Sequence, residues 1–256
     1  MQVEKIKTGI EKLDEILDGG IPKKHLVLIT GTAGTMKSTL GFQILHKSAL
    51  EGMNAVYLSL EQSAMSVMTQ MSLMGYDFSK ITLDSNDAEV VKNFSASGKD
   101  KKKGILSIID IGYIRKKSGK KKFNWLNAIK TKLAEMSKKR ADVVVLDTLN
   151  ALYSLHKFED IRVDLFQLFE FLKDLKLTSF IINEVPAGDA RYGQYGVESY
   201  LVDGVIQMSL AKRELKVKRE LNIVKMRYAD HMTNIYIFQF DKKQKRFVIS
   251  EKIAVE

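Results

Sequence analysis

Residues 31–39 read Gly-Thr-Ala-Gly-Thr-Met-Lys-Ser-Thr. This meets the phosphate-loop pattern G-x-x-x-x-G-K-[ST] at every fixed position but one. Gly31, Lys37 and Ser38 fit, and Met36 stands where a glycine is expected. Such a loop works only between a buried strand and a helix. The apolar run His25 to Thr30 supplies the strand, and Lys37 to Glu51, stopped by Gly52, supplies the helix. The loop N–H groups then face a phosphate, and the positive end of the helix points at the same charge. Gly31, Thr32, Ala33, Gly34, Thr35, Met36, Lys37, Ser38 and Thr39 are therefore the nucleotide-binding candidates. Lys37 suits the β- and γ-phosphates, Ser38 Oγ suits Mg²⁺, and Thr39 falls near the α-phosphate. Glycine at position 36 would tolerate φ > 0 and let the backbone approach without a Cβ. Methionine fits there if its backbone takes φ < 0 and its side chain turns away, and one hypothesis is that the loop then binds nucleotide but places the γ-phosphate less well.

The chain's 256 residues and 45% apolar content suit one large α/β domain, with a Lys-rich insertion at about 95–122. The absence of cysteine excludes disulfides and thiolate metal sites. Met1 to Gly9 has no apolar leader core, and no apolar run approaches the roughly 18 residues that span a bilayer. A cytoplasmic protein is expected. Of the net charge of +10, residues 98–122 carry most, with ten Lys/Arg against two Asp. A block of this kind binds nucleic acid or an acidic partner, or is a solvated loop. The solvated loop is favoured, because the rings for base stacking are only Tyr113, with Phe123 and Trp125 just beyond.

Strand and helix alternate through the first half: Asn54–Leu60 (strand), Gln62–Met74 (helix), Ile105–Ile111 (strand), Trp125–Arg140 (helix) and Asp142–Leu146 (strand). Residues 77–104 show no clear period, and Ser95–Gly104 reads as a loop. Ile161–Leu175 reads as a helix and Thr178–Asn183 as a buried strand. Beyond Val197 come strands at Gly204–Leu210, Glu220–Arg227, Asn234–Phe240 and Arg246–Ile249. A mostly parallel sheet flanked by helices, extended by antiparallel C-terminal strands, is expected.

Asp147 ends the apolar run Val143 to Leu146 and is the candidate magnesium acid, with Thr148 in support. Its strand is expected to lie next to the strand of the phosphate loop. Glu61 ends the strand after the loop helix, at the edge where open α/β sheets bind ligands. It is the candidate general base.

Three further segments carry a resemblance. Thr8-Gly9-Ile10-Glu11-Lys12-Leu13-Asp14 with Gly19-Gly20-Ile21-Pro22, the stretch Gly196 to Val205, and Val224-Lys225-Met226-Arg227 with His231 resemble the KaiC-like (archaeal RadA/KaiC-domain) ATPases of the RecA superfamily. The likeness runs from about Lys7 to Ile249. It implies ATP with Mg²⁺, and a homo-oligomeric ring, usually a hexamer, with nucleotide at the subunit boundaries. Lys225, Arg227 and His231 would then reach the γ-phosphate held by a neighbouring subunit. Lys225 and Arg227, two apart, equally fit an exposed face of one strand. Asn183 and Glu184 stand where recombinases of the superfamily carry an Asn-Gln pair that senses the γ-phosphate, and Gln62 replaces a second glutamate common in KaiC-like chains. Asn183 can still donate to the γ-phosphate or the attacking water. Ser199 falls about where KaiC phosphorylates itself and is a phosphoacceptor candidate, and no clock role is expected of this single domain.

Three readings stay open: a slow Mg-dependent ATPase that couples nucleotide state to a protein partner, a non-hydrolysing ATP sensor or scaffold, and a DNA-binding recombinase paralogue. The last is disfavoured by the lack of a separate N-terminal DNA-binding domain.

Overall fold

The computed structural model describes residues 3–95, 103–119, 122–186, 192–213 and 216–251. The first elements are β1 (Lys5–Ile6), α1 (Glu11–Ile16), β2 (Ile21–Pro22), β3 (Leu26–Gly31), α2 (Lys37–Leu50), β4 (Asn54–Ser59) and α3 (Ala64–Leu73). There follow β5 (Thr82–Ser85), α4 (Ala88–Phe94), β6 (Ile105–Asp110), α5 (Ile111–Ser118), α6 (Trp125–Lys138) and β7 (Val143–Asp147). The chain continues through α7 (Leu149–Leu155), α8 (Ile161–Asp174), β8 (Thr178–Glu184) and α9 (Glu198–Leu201). It closes with β9 (Gly204–Arg213), β10 (Lys216–Met226), β11 (Tyr236–Asp241) and β12 (Arg246–Glu251).

One ten-stranded sheet runs β12-β11-β10-β9-β3-β8-β7-β4-β6-β5. Pairing is parallel from β9 across to β5 and antiparallel from β9 outward to β12. The central strands read as unbroken apolar runs because both faces are covered. Val27, Ile29, Val143, Val145, Phe180 and Ile182 enter the core beneath α1, α2 and α3. The alternating residues Leu26, Leu28, Val144, Leu146 and Ile181 enter the core beneath α6, α7 and α8. Helix α2 lies close on the sheet because Gly41 faces it. A Cβ there would stand 3.2 Å from Val145 Cγ1 and 3.3 Å from Ile182 Cδ1.

Three expectations change. Strand β7 is not beside β3, because β8 lies between them. Residues 77–104 contain β5 and α4, a four-residue strand and a seven-residue helix too short to show a period. Within the Lys-rich stretch, the expected strand forms as β6, paired on both sides, and the unforeseen α5 follows it to Ser118. The rest of that stretch from 96 to 102, with Lys120 and Lys121, lies outside the described residues.

The parallel register gathers the carboxyl ends of β3, β8, β7 and β4 along one edge, as Ser59 pairs with Asp147 and Gly31 with Glu184. Strand β10 runs the other way. Leu221 is level with Met208, itself level with Gly31, whereas Met226 is level with Gly204 and so with Val27. No described helix is long and apolar enough to cross a membrane.

Candidate nucleotide site

The loop from Gly31 to Met36 leaves β3 and feeds α2 at Lys37, as the sequence predicts. Met36 is the N-cap of α2 with φ 74° and ψ 30°, left-handed geometry. This corrects the expectation of φ < 0. That region is one a glycine enters freely, so Met36 holds a backbone conformation compatible with the glycine of the motif. That side chain is half-buried and packs on the core beneath α2. It also lines a cavity of about 490 Å³ with Leu73, Met74, Arg219, Phe240, Lys242 and Lys245. Arg219, on β10, donates through Nε to the Gly34 carbonyl at 2.9 Å. It is a cation beside the loop that no motif announced.

Lys37 is buried, and its Nζ donates to the Thr32 carbonyl at 2.7 Å. Its second partner is the Glu184 carboxylate, 3.6 Å away. Burial pushes its pKa down, against the pull of Glu184, Asp147 and Glu61. The anion of Glu184, which would otherwise face an anionic ligand unfavourably, thus stands against a cation. Thr35 Oγ1 donates to the Thr32 carbonyl at 2.8 Å and holds the loop closed on itself.

Asp147, 7% exposed, ends β7 beside this cluster. Tyr57, fully buried on β4, donates its phenol proton to Asp147 Oδ2. Burial pushes the Asp147 carboxyl up, while hydrogen bonds from Tyr57 and Ser38 pull it down. Its Oδ1 is buried with no partner. A buried carboxylate oxygen without a partner is costly unless a ligand completes it. With the Ser38 hydroxyl alongside, this donor set fits Mg²⁺, a hard cation that takes oxygen ligands.

Glu61 accepts from Thr148 Oγ1 at 3.2 Å through Oε1, and Thr148 caps α7. Glu61, Glu184 and Asn150 line a second cavity of about 350 Å³ with Gln194. Asn150, unforeseen, clamps Glu184 by accepting from its N–H at 2.6 Å and donating to its carbonyl at 2.9 Å. Asn183 is wholly buried on β8, and both atoms of its amide lack partners. The fold thus brings Lys37, Ser38, Asp147, Glu61 and Glu184 to one edge of the sheet.

It does not bring Lys225 or Arg227 there, and His231 lies beyond them in the connection between β10 and β11. Lys225 pairs with Val205, level with Leu28, and Arg227 N–H donates to Asp203, whose own N–H donates to Leu26. At about 3.3 Å per residue, Lys225 is some 10 Å back from the loop along the strands. Within the chain, Lys225 Nζ donates to the Ser199 carbonyl at 2.8 Å and Arg227 pairs with Asp203 at 3.0 Å.

Comparison with known proteins bears on this arrangement. Residues 6–252 match the family described as "ATPase: KaiC". The chain belongs to the KaiC ATPase family. A UPF0273 protein of Pyrococcus furiosus is 30% identical to this KaiC-family chain over 94% of its length and 92% of the relative's. A UPF0273 protein of Thermotoga maritima is 30% identical over 94% of each. The crystal structure of a KaiC-like protein from Pyrococcus horikoshii OT3 superposes with a TM-score of 0.74 at 25% identity. It covers 97% of this chain and the whole of that one.

Proposed function

We propose that this protein binds ATP with Mg²⁺ at residues 31–39 and hydrolyses it slowly at the boundaries between subunits of a ring, coupling nucleotide state to a protein partner. The observation that carries the proposal is the unpartnered, buried Oδ1 of Asp147 set beside Ser38 and Lys37. Ser38 Oγ and Asp147 would hold Mg²⁺, whose charge offsets that of the phosphates and of the developing transition state. Lys37 leaves Glu184 for the β- and γ-phosphates. The cavity beside Met36 gives the nucleoside an apolar wall with a cationic rim. Glu61, at the mouth of the second cavity, orients and deprotonates the attacking water, and its bond from Thr148 sets its direction. The free amide of Asn183 is available to the γ-phosphate or that water.

The register sets Lys225 and Arg227 back along the sheet from their own loop, and His231 follows them in the connection to β11. This supports their acting on a neighbour's nucleotide, where cations offset charge in phosphoryl transfer. The non-hydrolysing sensor is the weaker reading, because Met36 keeps the geometry of glycine.

The test is phosphate release by the wild type, Glu61→Gln and Asp147→Asn, with particle mass measured with and without Mg-ATP. Turnover in the wild type should fall about 100-fold or more in both variants. ATP should also promote a ring. Tight binding without turnover would establish the sensor, and unchanged turnover in Glu61→Gln would remove Glu61 as the base.

A further inference from the structure

Away from the nucleotide site, an open groove of about 560 Å³ runs between the end of α5, the start of α6 and the end of α7. Arg115, Lys122, Phe123, Trp125, His156 and Lys157 line it, and no carboxylate does among the described residues. Trp125 is buried and forms the floor, with Phe123 edge-on to it at 5.0 Å between centroids. The Arg115 guanidinium carbon lies 5.8 Å from the centre of the Trp125 ring. The rings of Phe123 and His156 are only half-buried, and Lys122 and Lys157 are exposed. In sequence the basic block had few rings, with Phe123 and Trp125 just beyond it, and the fold adds His156 and Lys157 from a segment some thirty residues on.

We propose that this groove binds single-stranded nucleic acid. Three cations in a groove that no described carboxylate lines fit a phosphate backbone, and half-buried rings among them fit unpaired bases. A duplex keeps its bases stacked inside and would leave the rings unused. An acidic peptide would use the cations and not the rings. The inference is independent of whether ATP is hydrolysed.

The 256-residue chain provides its own probe, since Trp125 is its only tryptophan. Labelled oligothymidine and oligouridine of about 12 nucleotides are titrated in about 50 mM salt, and label anisotropy and Trp125 emission are recorded together. Both signals should move in step for at least one of the two strands. The strand bound more tightly tells DNA from RNA. Affinity should fall with log salt at a slope of about −2, as expected for three phosphate contacts to a single strand. Lys157→Glu should weaken binding about tenfold and flatten the slope by more than 0.7. Phe123→Ala should weaken it about 5- to 100-fold with the slope unchanged. Lys157 is exposed, so its reversal is readable even if Phe123→Ala does not fold. Four outcomes would overturn the proposal: no binding of either strand at this salt, anisotropy without a change in emission, indifference to Lys157→Glu, or displacement of the strand by polyglutamate of equal charge.

Discussion

Replacing Met36 with glycine should leave both stability and turnover nearly unchanged, for a reason the geometry supplies. Met36 has φ 74°, a conformation that costs a residue with a Cβ about 1–2 kcal/mol. Glycine relieves that strain. Against it stand the lost contacts of a half-buried methionine, roughly 1 kcal/mol, and the greater freedom of glycine in the unfolded chain, about 0.4–1 kcal/mol. The balance is within about 1 kcal/mol of zero, or about 4 °C in melting temperature for a chain of this size. Met36→Ala keeps the strain and loses the contacts, so it should melt below both. Because the backbone shape is the same with either residue, phosphate release by Met36→Gly should stay within about threefold of wild type. Thermal unfolding by circular dichroism and steady-state phosphate release check both numbers. An alanine variant more stable than the glycine variant would refute the strain argument. A tenfold rise in turnover, about 1.4 kcal/mol in barrier, would show that the methionine side chain itself slows the reaction.

Glu184→Gln removes the carboxylate that competes with phosphate for Lys37. ATP affinity by calorimetry should rise about 2- to 5-fold, within the range of partly exposed ion pairs, and equal or weaker binding would contradict the pairing. Mixing Lys37→Ala with Arg227→Ala chains should restore part of the turnover that each lacks alone, since some boundaries then join an intact loop to an intact cation. Two inactive proteins whose mixture stays inactive would place Arg227 outside the reaction. His46 is buried with its Nε2–H on the Asp77 carbonyl at 2.7 Å, and burial holds its pKa below the ordinary 6.5. The unfolded chain therefore takes up a proton first. Stability should be full above pH 6.5 and fall as the pH drops from there toward the lower folded value. Acid melts of wild type and His46→Gln test this, and an equal pH dependence in the two would exclude His46.

The loop, its helix and the buried strands were legible because each leaves a local mark. Val143 to Leu146 is apolar at every position, and Gly52 and Gly75 stop helices. Strand β5 was not legible, since its four residues include the exposed Asp84 and pack little. Strand β10 begins at Lys216, where Lys216 and Val217 are both exposed and no alternation marks the start. Insertion of β8 between β3 and β7 has no signature in residue spacing at all. The same holds for site partners far apart in the chain. Tyr57 reaches Asp147 across 90 residues and Arg219 reaches Gly34 across 185. Residues of the motif announce themselves, and the residues that aim them do not.

Gly31 adds a caution about what the motif records. Its φ is 153°, and a Cβ there would lie 1.8 Å from the Met208 carbonyl oxygen on β9. Its own carbonyl accepts from Val185 N–H at 3.2 Å, just past β8. The first glycine of the loop is thus demanded by the seam between three strands before any phosphate is considered. A descendant that lost its nucleotide would still need it, so Gly31 by itself testifies to sheet construction. What points to a ligand is Lys37 and Ser38 within the loop and the unpartnered Oδ1 of Asp147 beside it.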